Sequence, residues 1–312
     1  MSLRKGYGVR ITPSGGSLVT IGGVTQQSMM TGSEILTQET AGTAFVSNAS
    51  INAIRPRGAF TTHSVGALWT ALGLRGACLA GGANPGFEMH ELLYSACGSL
   101  VTTTTPHRKL TIPNGLVIPQ NIECSHQQDA TMSAEVIATH DGTNDPVIIG
   151  ESVAAPTGMT DAHRFTLGAV TVGNIAITGI LSVSVDFGNN ATGDSADSNP
   201  FDDNVELTQI LPTITIRTRD VAKFAAAATG IPLRGLKGTH VNTSIVLRRR
   251  VNGTASFSTA ADNIRITADC LINWDEVFNA AANARGEGTI RLTCLDDATN
   301  APILIVSNFE PA

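Results

Sequence analysis

Few of the side chains are aromatic or charged, and both shortages restrict what this chain can be. Aromatic residues make up 4% of the 312 positions and charged residues 15%, whereas 42% are hydrophobic. The net charge of −6 argues against a nucleic-acid binder, because such proteins neutralise phosphates with a basic surface. The one basic run, Arg248, Arg249 and Arg250, follows three aliphatic residues and is typical of a strand end.

Long apolar segments and paired cysteine motifs are also absent. No apolar run reaches 18 residues, so the sequence predicts no membrane-spanning helix. The N-terminal segment lacks the apolar core of a signal peptide, and we expect folding in a reducing cytoplasm. The cysteines form no CxxC pair and most stand among apolar residues, which favours free buried thiols. These residues are Cys78, Cys97, Cys124, Cys270 and Cys294.

The stretch DFGNNATGDSADSNPFDD, residues 186–203, contains five aspartates and no basic residue. Its Asp-Phe-Gly matches a kinase motif, but the chain has no GxGxxG phosphate loop and no matching catalytic loop. Its Gly-Asp-Ser lacks the two glycines that follow in serine proteases, and no histidine can be assigned as its base. We therefore expect no catalytic residue and no enzyme activity.

Metal-binding patterns are equally incomplete. Residues 90–94 begin as HExxH but end in tyrosine, which cannot replace the second zinc-binding histidine. Asp194, Asp197, Asp202 and Asp203 do not follow the spacing of an EF-hand. A loose calcium site and a solvated acidic loop both stay open for these aspartates. The expectation is no metal centre and no cofactor.

The sequence matches itself when it is shifted by 156 residues, half its length. At this offset, residues 19–24 align with 175–180, and residues 141–149 align with 297–305. Chance matches would scatter over many offsets, so the shared offset predicts an internal repeat. Single matches include Ser28 with Ser184, Gly32 with Gly188, Phe45 with Phe201, and Thr62 with Thr218.

The repeat predicts two tandem domains, 1–156 and 157–312, with a linker near residues 151–158. Apolar and polar residues alternate along several segments, as in half-buried strands. These segments are 175–187, 213–217, 263–270 and 290–294. We expect a mainly β chain of two homologous domains, each a β-sandwich or small barrel with a flanking α-helix.

The flanking helix is predicted directly after a strand in each domain. Its N-cap and terminal glycine would be Thr62 and Gly73 in the first copy, and Thr218 and Gly230 in the second. The apolar stripe of the first copy consists of Val65, Leu68, Trp69 and Leu72. Further helices are predicted at Pro85–Cys97 and Trp274–Arg285.

Short motifs recur around the predicted helix and near the end of each domain. Phe60-Thr61-Thr62 leads into the helix that ends at Gly73, and Leu92–Gly98 carries a Leu-Leu-x-x-x-Cys-Gly pattern. Asp-Gly-Thr-Asn at 141–144 and Asp-Ala-Thr-Asn at 297–300 read as hairpins. Together these motifs resemble the tail tube (major tail) proteins of long-tailed bacteriophages, over most of both halves.

The resemblance implies a structural virion protein that forms stacked rings around a DNA channel. A duplicated chain implies homotrimeric rings with six pseudo-equivalent domains. The implied partners are further copies of the chain and the tape-measure, tail terminator and baseplate proteins, with DNA passing through the lumen without specific binding. The implied location is the phage tail, assembled in the bacterial host cytoplasm. A capsid decoration or baseplate protein stays open as an alternative, as does a hydrolase or carbohydrate-binding β-sandwich.

Under this resemblance, the long loop after the strand that ends near Asp186 is expected to reach the neighbouring ring. The candidate contact residues are Asp194, Asp197, Asp202 and Asp203 in the second copy, and Glu34 and Glu39 in the first. The candidate basic contact is the run Arg248, Arg249 and Arg250. Because the aspartates have no counterparts in the first copy, we expect two chemically different contacts per chain.

Overall fold

Antiparallel β-strands make up most of this chain. The structure is a computed structural model that describes residues 3–39, 45–81, 86–95, 97–101, 106–159, 163–173, 175–196, 199–224, 241–251, 254, 256–280, 285–296 and 301–310. Within these residues, every named strand pair is antiparallel. The prediction of a mainly β chain is confirmed.

The described part of the first half contains twelve strands and one helix. They are β1 (Leu3–Ile11), β2 (Val19–Ile21), β3 (Val24–Met30), β4 (Ser33–Glu39), β5 (Val46–Ile54), β6 (Arg57–Thr62), α1 (Val65–Leu72), β7 (Ala77–Cys78), β8 (Phe87–Tyr94), β9 (His107–Ile112), β10 (Asn114–Ser125), β11 (Thr131–Thr139) and β12 (Ile148–Val153).

The described part of the second half contains ten strands and one short turn of 3-10 helix. They are β13 (Phe165–Val172), β14 (Ile175–Ile177), β15 (Ile180–Asp186), β16 (Asn190–Asp194), β17 (Asn204–Gln209), β18 (Thr213–Thr218), the 3-10 turn (Val221–Lys223), β19 (Val241–Arg249), β20 (Asn263–Asn279), β21 (Glu287–Cys294) and β22 (Ile303–Phe309).

The strands of the two halves are arranged in the same order. The first half pairs β12-β9-β8-β1-β2 in one sheet and β10-β11-β6-β3 in another. The second half pairs β22-β20-β19-β13-β14 and β20-β21-β18-β15. The long strand β20 therefore occupies the places that β9 and β10 hold in the first half. Pairing of β10 with β15 joins the two halves into one continuous sheet.

Two further hairpins, β4–β5 and β16–β17, pair in the same register. Ile35 faces Ile51 in the first hairpin, and Ala191 faces Leu207 in the second, each 156 positions further along. The register shifts by one residue at the same place in both, directly before Ile35 and Ala191. The hairpins are therefore equivalent in backbone structure, although their sequences differ.

Gly32 and Gly188 explain one of the repeated matches in the sequence. Their φ angles are +60° and +59°, in the left-handed region that favours glycine. A Cβ on Gly32 would lie 2.1 Å from the carbonyl oxygen of Arg55, and one on Gly188 would lie 2.1 Å from that of Leu211. Both turns therefore exclude any side chain at this position.

Thr62 and Thr218 are also equivalent, but neither is the N-cap that the sequence predicted. Each hydroxyl donates to a distant backbone carbonyl, that of Gly22 for Thr62 and that of Thr178 for Thr218, and accepts the N–H two residues ahead. The cap residue is Ser64 for α1 and Asp220 for the 3-10 turn. Each threonine hydroxyl thus ties the turn before the helix to a turn 40 positions earlier in the chain.

The predicted helix of the first half is confirmed as α1. Val65, Leu68 and Leu72 are buried, and Gly73 ends the helix with a φ of +59°. In the second half the matching segment begins as the 3-10 turn Val221–Lys223. Gly230, its predicted end, lies outside the described residues.

The two additional helices were predicted wrongly. Strand β8 occupies most of Pro85–Cys97, and β20 extends through Asn279 into the predicted helix at Trp274–Arg285. Strand β8 pairs with β1 on one side and β9 on the other, and β20 pairs with β21. Pairing with distant strands therefore overrides the local helical pattern.

One hydrophobic core extends through both halves and confirms the predicted alternation. Ile264, Ile266, Ala268 and Cys270 are buried, as are Ile290, Leu292 and Cys294. All five cysteines are free, and Cys124, Cys270 and Cys294 are buried as expected. Cys78 and Cys97 are exposed, so the expectation of buried thiols was wrong for these two. They lie on the two-residue strand β7 and in the turn after β8, away from the core.

Candidate functional site

The two halves meet along strands β10 and β15, in a contact that we call the joint. Strand β10 pairs with β15 from Asn121 opposite Asp186 to Ser125 opposite Ser182. A further hydrogen bond runs from the Phe187 backbone N–H to the carbonyl of Gln120, at 2.9 Å. One half therefore completes the sheet edge of the other.

The hairpin β16–β17 adds an apolar contact to this joint. It lies over the outer face of β10 and β11, on the side away from the main core. The covered side chains are buried, and together with those that cover them they form a second, smaller hydrophobic cluster. The covered residues are Leu116, Ile118 and Ile137, and the covering residues are Ala191, Val205 and Leu207.

Polar contacts fix the orientation of this hairpin. Asp202 is 2% exposed, and its carboxylate accepts a hydrogen bond from Arg55 Nε at 3.1 Å. The Asp202 carbonyl accepts the N–H of His140 at 2.8 Å, and the His140 ring stacks on Phe201. Because a buried carboxylate is costly without a partner, Asp202 requires the first half in place.

Asn189 provides a second buried polar link between the halves. Its side-chain N–H groups donate to the carbonyls of Leu74 at 3.0 Å and Pro119 at 2.9 Å. Beside it, the Phe187 ring stacks on Trp69 of α1, with centroids 5.4 Å apart. These specific contacts hold the two halves in one fixed arrangement.

The equivalent hairpin of the first half, β4–β5, has no such cover. All of β4 is exposed, and β5 is exposed from Val46 to Asn52. Ile35 is 61% exposed and Ile51 58% exposed, at the positions where the second hairpin packs on its neighbour. An apolar face of this kind on a projecting hairpin marks an interaction surface.

The outer face of β20–β21 is the equivalent of the covered face of β10–β11. Leu271 faces Thr293 across these strands, as Leu116 faces Ile137 in the first half. Leu116 is buried under the hairpin β16–β17, whereas Leu271 remains 37% exposed. The second half thus presents the equivalent face without the hairpin that covers it in the first. At the positions of Ile137 and Ile118 it has Thr293 and Asn273.

Two strand edges are open in the same way. Among the described residues, β3 pairs only with β6, and the C-terminal part of β20 pairs only with β21. Their equivalents, β15 and β10, have partners on both sides. An open edge presents unpaired N–H and C=O groups that another strand can take up.

The acidic stretch forms a hairpin where the sequence predicted a long loop, because residues 190–194 are strand β16. The Asp194 carboxylate accepts the N–H of Ser195 at 2.9 Å, and Asp203 accepts a hydrogen bond from the Asn199 side chain. Asp197 lies outside the described residues. The described residues contain no group of three or more metal-binding side chains, so the described aspartates converge on no calcium site.

The other predicted contact residues lie apart from the aspartates. Glu34 and Glu39 are exposed on β4. Arg248, Arg249 and Arg250 all have partners within the chain, and their role between rings stays a prediction. These partners are Phe257 for Arg248, Asp262 for Arg249 and Asp129 for Arg250.

A buried charged cluster that the sequence did not predict lies on β8. Glu88 accepts hydrogen bonds from His90 at 3.2 Å and from Lys109, and Arg10 lies 3.8 Å away. The hydrogen bond from His90, together with Lys109, lowers the pKa of Glu88 to about 2. The zinc motif fails structurally too, because residues 90–94 lie on a strand and HExxH requires a helix. Charged residues at alternate positions, Glu88 and His90, were the signal for this cluster.

A cleft of about 700 Å³ lies between the halves and is lined by side chains of the types that catalyse hydrolysis. Ser64, His163 and Asp262 line it. The Ser64 hydroxyl donates to the carbonyl of Gly22 at 2.8 Å, and Asp262 pairs with Arg249. The serine proton is thus directed to a backbone carbonyl, which is unlike a nucleophile held by a base.

Comparison with protein-family models and with curated proteins found no match. Within the described ranges, no helix is both long and apolar enough to cross a membrane.

Proposed function

We propose that this chain is a structural subunit of a phage tail tube, which polymerises as stacked trimeric rings around a DNA-conducting channel. The observation that carries the proposal is the pair of open strand edges, on β3 and on β20. Each is the equivalent of an edge that is paired at the joint. Motif resemblance to tail tube proteins adds independent support.

The proposal treats residues 1–156 and 157–312 as two copies of one domain. Equal strand order, equal hairpin register and the paired glycines Gly32 and Gly188 support this interpretation. Strand β12 ends at Val153 and β13 begins at Phe165, so the boundary between the two copies along the chain falls between these residues. The first domain is then a two-sheet β unit with the flanking helix α1, and in the second domain the long strand β20 joins the two equivalent groups of strands into one sheet.

Head-to-tail association follows from where the open edges lie. In the sheet that joins the halves, β3 lies at one end and the open segment of β20 near the other. Antiparallel pairing of β3 from one copy with β20 from the next would repeat the β10–β15 pairing between chains. A ring that closes consumes every open edge and stops lateral growth. Three chains of two domains give six equivalent positions.

Charge is compatible with a channel that conducts DNA without retaining it. A ring of three chains would carry three times the net charge of −6. A negative surface potential repels phosphates and opposes tight binding of the passing DNA. The partners would be further copies, the tape-measure, terminator and baseplate proteins, in the phage tail after assembly in the host cytoplasm.

Negative-stain microscopy of the purified protein tests this function. Tubes with a regular axial repeat are the expected result. Closed rings that never stack would contradict a tube protein and favour a capsid decoration or baseplate role. A monomer that binds a small ligand saturably would contradict both and favour a hydrolase or a carbohydrate-binding protein.

A further inference from the structure

The hairpin β4–β5 is exposed, and the contact made by its equivalent, β16–β17, indicates which surface it should pack on. The second hairpin, β16–β17, rests on the outer face of β10–β11. Both hairpins share pairing, register shift and position after an equivalent strand. The first hairpin carries larger apolar side chains at the matching positions, with Ile35 and Ile51 where the second has Ala191 and Leu207.

The matching surface for this hairpin lies in the same chain but at the other end of the sheet. From β3 to β21 the strand order is β3-β6-β11-β10-β15-β18-β21. Six steps of about 4.8 Å separate the first and last of these strands. Residues 31–32 are the whole connection between β3 and β4, so the hairpin stays close to β3. The outer face of β20–β21 is therefore open to the hairpin of a different copy.

A second correspondence supports the same contact independently. At the joint, Asp202 of the hairpin pairs with Arg55 of the first half. The residues 156 positions away are Val46 on the first hairpin and Leu211 on the second half, and both are exposed. The ion pair in the joint thus corresponds to two apolar side chains on open surfaces. If the two surfaces meet, these side chains lose contact with water, which favours association.

The charges of the two surfaces offer one attractive contact, at Arg291, because Asp269 and Glu276 also lie on the outer side of β20. Residues 33–54 contain Glu34 and Glu39 and no basic side chain. Arg291 is exposed on β21, two positions from Thr293 and on the same side of the sheet. The register is therefore restricted to one that brings the acidic hairpin near Arg291 and away from Asp269.

We infer that the β4–β5 hairpin of one copy docks on the outer face of β20–β21 of a second copy, with Ile35 and Ile51 over Leu271 and Val46 near Leu211. The inference rests on the proposed function in one respect, that the partner is another copy of this chain. Beyond the proposed pairing of strand edges, the inference identifies a second contact that would hold neighbouring copies together.

Cross-linking between two variants that carry cysteines at different positions tests this docking. In a background with Cys78→Ser and Cys97→Ser, one preparation carries Ile51→Cys and the other carries Leu271→Cys. Mixed assemblies are treated with a short bismaleimide, and covalent dimers are measured on denaturing gels. The matched control replaces Leu271→Cys by Leu304→Cys, a leucine on β22 that is 54% exposed and outside the inferred contact.

Dimers that form in the Ile51/Leu271 mixture, and at least about tenfold less in the control, are the expected result. Rings or tubes that assemble normally without this cross-link, or with equal cross-linking in the control, would overturn the inference and leave the proposed function standing. A wild-type chain that forms no assembly under the same conditions would contradict the proposed function itself.

Charge substitution gives a second test. Leu271→Asp should remain folded, because the side chain is exposed in the single chain, and should weaken self-association on the order of a hundredfold, since docking would bury an unpaired carboxylate. Leu304→Asp should change association less than about threefold. Circular dichroism verifies folding and analytical ultracentrifugation measures association. Equal losses in both variants would contradict the inference.

Discussion

At the scale of single residues, the two halves agree most closely where the backbone leaves no choice. Gly32 and Gly188 have the same φ, and each approaches a carbonyl oxygen 156 positions from the other. Thr62 and Thr218 make the same two hydrogen bonds. Their alignment was predictable from sequence because these residues perform backbone roles that no other side chain performs equally well.

Alanine at Gly188 should destabilise the protein more than alanine at an unconstrained glycine. Gly188→Ala meets both a positive φ and the Leu211 carbonyl, and we expect a loss of about 2 kcal/mol or more in the free energy of unfolding. Gly15 has a φ of +72° with open space around it, and Gly15→Ala should cost only about 1 kcal/mol. Urea denaturation measures both values. Equal losses would show that the carbonyl contact contributes nothing.

The Glu88 cluster should make stability depend on pH in the acidic range. The pKa of Glu88 is about 2 in the folded chain against an ordinary value of 4.5. Because the folded pKa is depressed, the contribution is fully present above pH 4.5 and is lost as the pH falls towards 2. It amounts to at most about 3.5 kcal/mol, from about 1.4 kcal/mol for each pH unit between 4.5 and about 2.

Comparison of the wild type with Glu88→Gln isolates this contribution. The difference in their free energies of unfolding should be largest at pH 6 to 7 and shrink between pH 4.5 and 3. Urea denaturation at several pH values gives the difference directly, and other carboxylates cancel between the two proteins. A difference that stays constant over this range would contradict the role assigned to Glu88.

At the scale of elements, the alternating strands were predictable, and the strands buried on both faces were not. Ile264 to Cys270 alternate because one face of β20 meets the core there. In β8 the buried residues include Glu88 and His90 between apolar neighbours, so the period-2 signal disappears. A local pattern cannot report burial on both faces, since that burial comes from strands distant in sequence.

The exposure of β4–β5 was equally beyond sequence analysis. Ile35 and Ile51 occupy positions that pack on a neighbouring face in the other hairpin, and only the fold shows that the equivalent face, on β20–β21, lies far from them in the same chain. The acidic residues around Asp203 were predicted as a loop, although their hairpin lies in the joint. Asp202 thereby acquires a structural role with Arg55 that its sequence context did not indicate.

The tip of β16–β17 gives a prediction at this scale about stacking. Asp194 and Asp203 are at the tip, and Asp194→Asn with Asp203→Asn removes charge while the strand pairs persist. If the tip contacts the next ring, the double variant should form rings of normal size and tubes of reduced length. Electron microscopy measures tube length. Tubes of wild-type length would show that these aspartates make no contact between rings.

At the scale of the whole molecule, the chain forms one contact internally, the joint between its halves. The surfaces equivalent to the two sides of that joint are both open. Strand β10 receives β15 and the hairpin β16–β17 within one copy. The C-terminal part of β20 has no second pairing strand among the described residues, and the face around Leu271 has no covering hairpin. Within the same residues, strand β3 has a free edge and β4–β5 has an exposed apolar face, so another copy could supply both partners. The account predicts that neighbouring copies repeat the internal joint until a ring closes.

Native mass spectrometry of the smallest closed assembly tests this central claim most directly. Three chains per ring is the predicted result, because three copies of two domains complete six equivalent joints, three internal and three between chains. A Leu271→Asp sample at the same protein concentration should show mostly single chains, in line with the weaker self-association expected for it. A smallest closed assembly of two, four or six chains, or a wild-type protein that stays monomeric at all concentrations, would contradict the account.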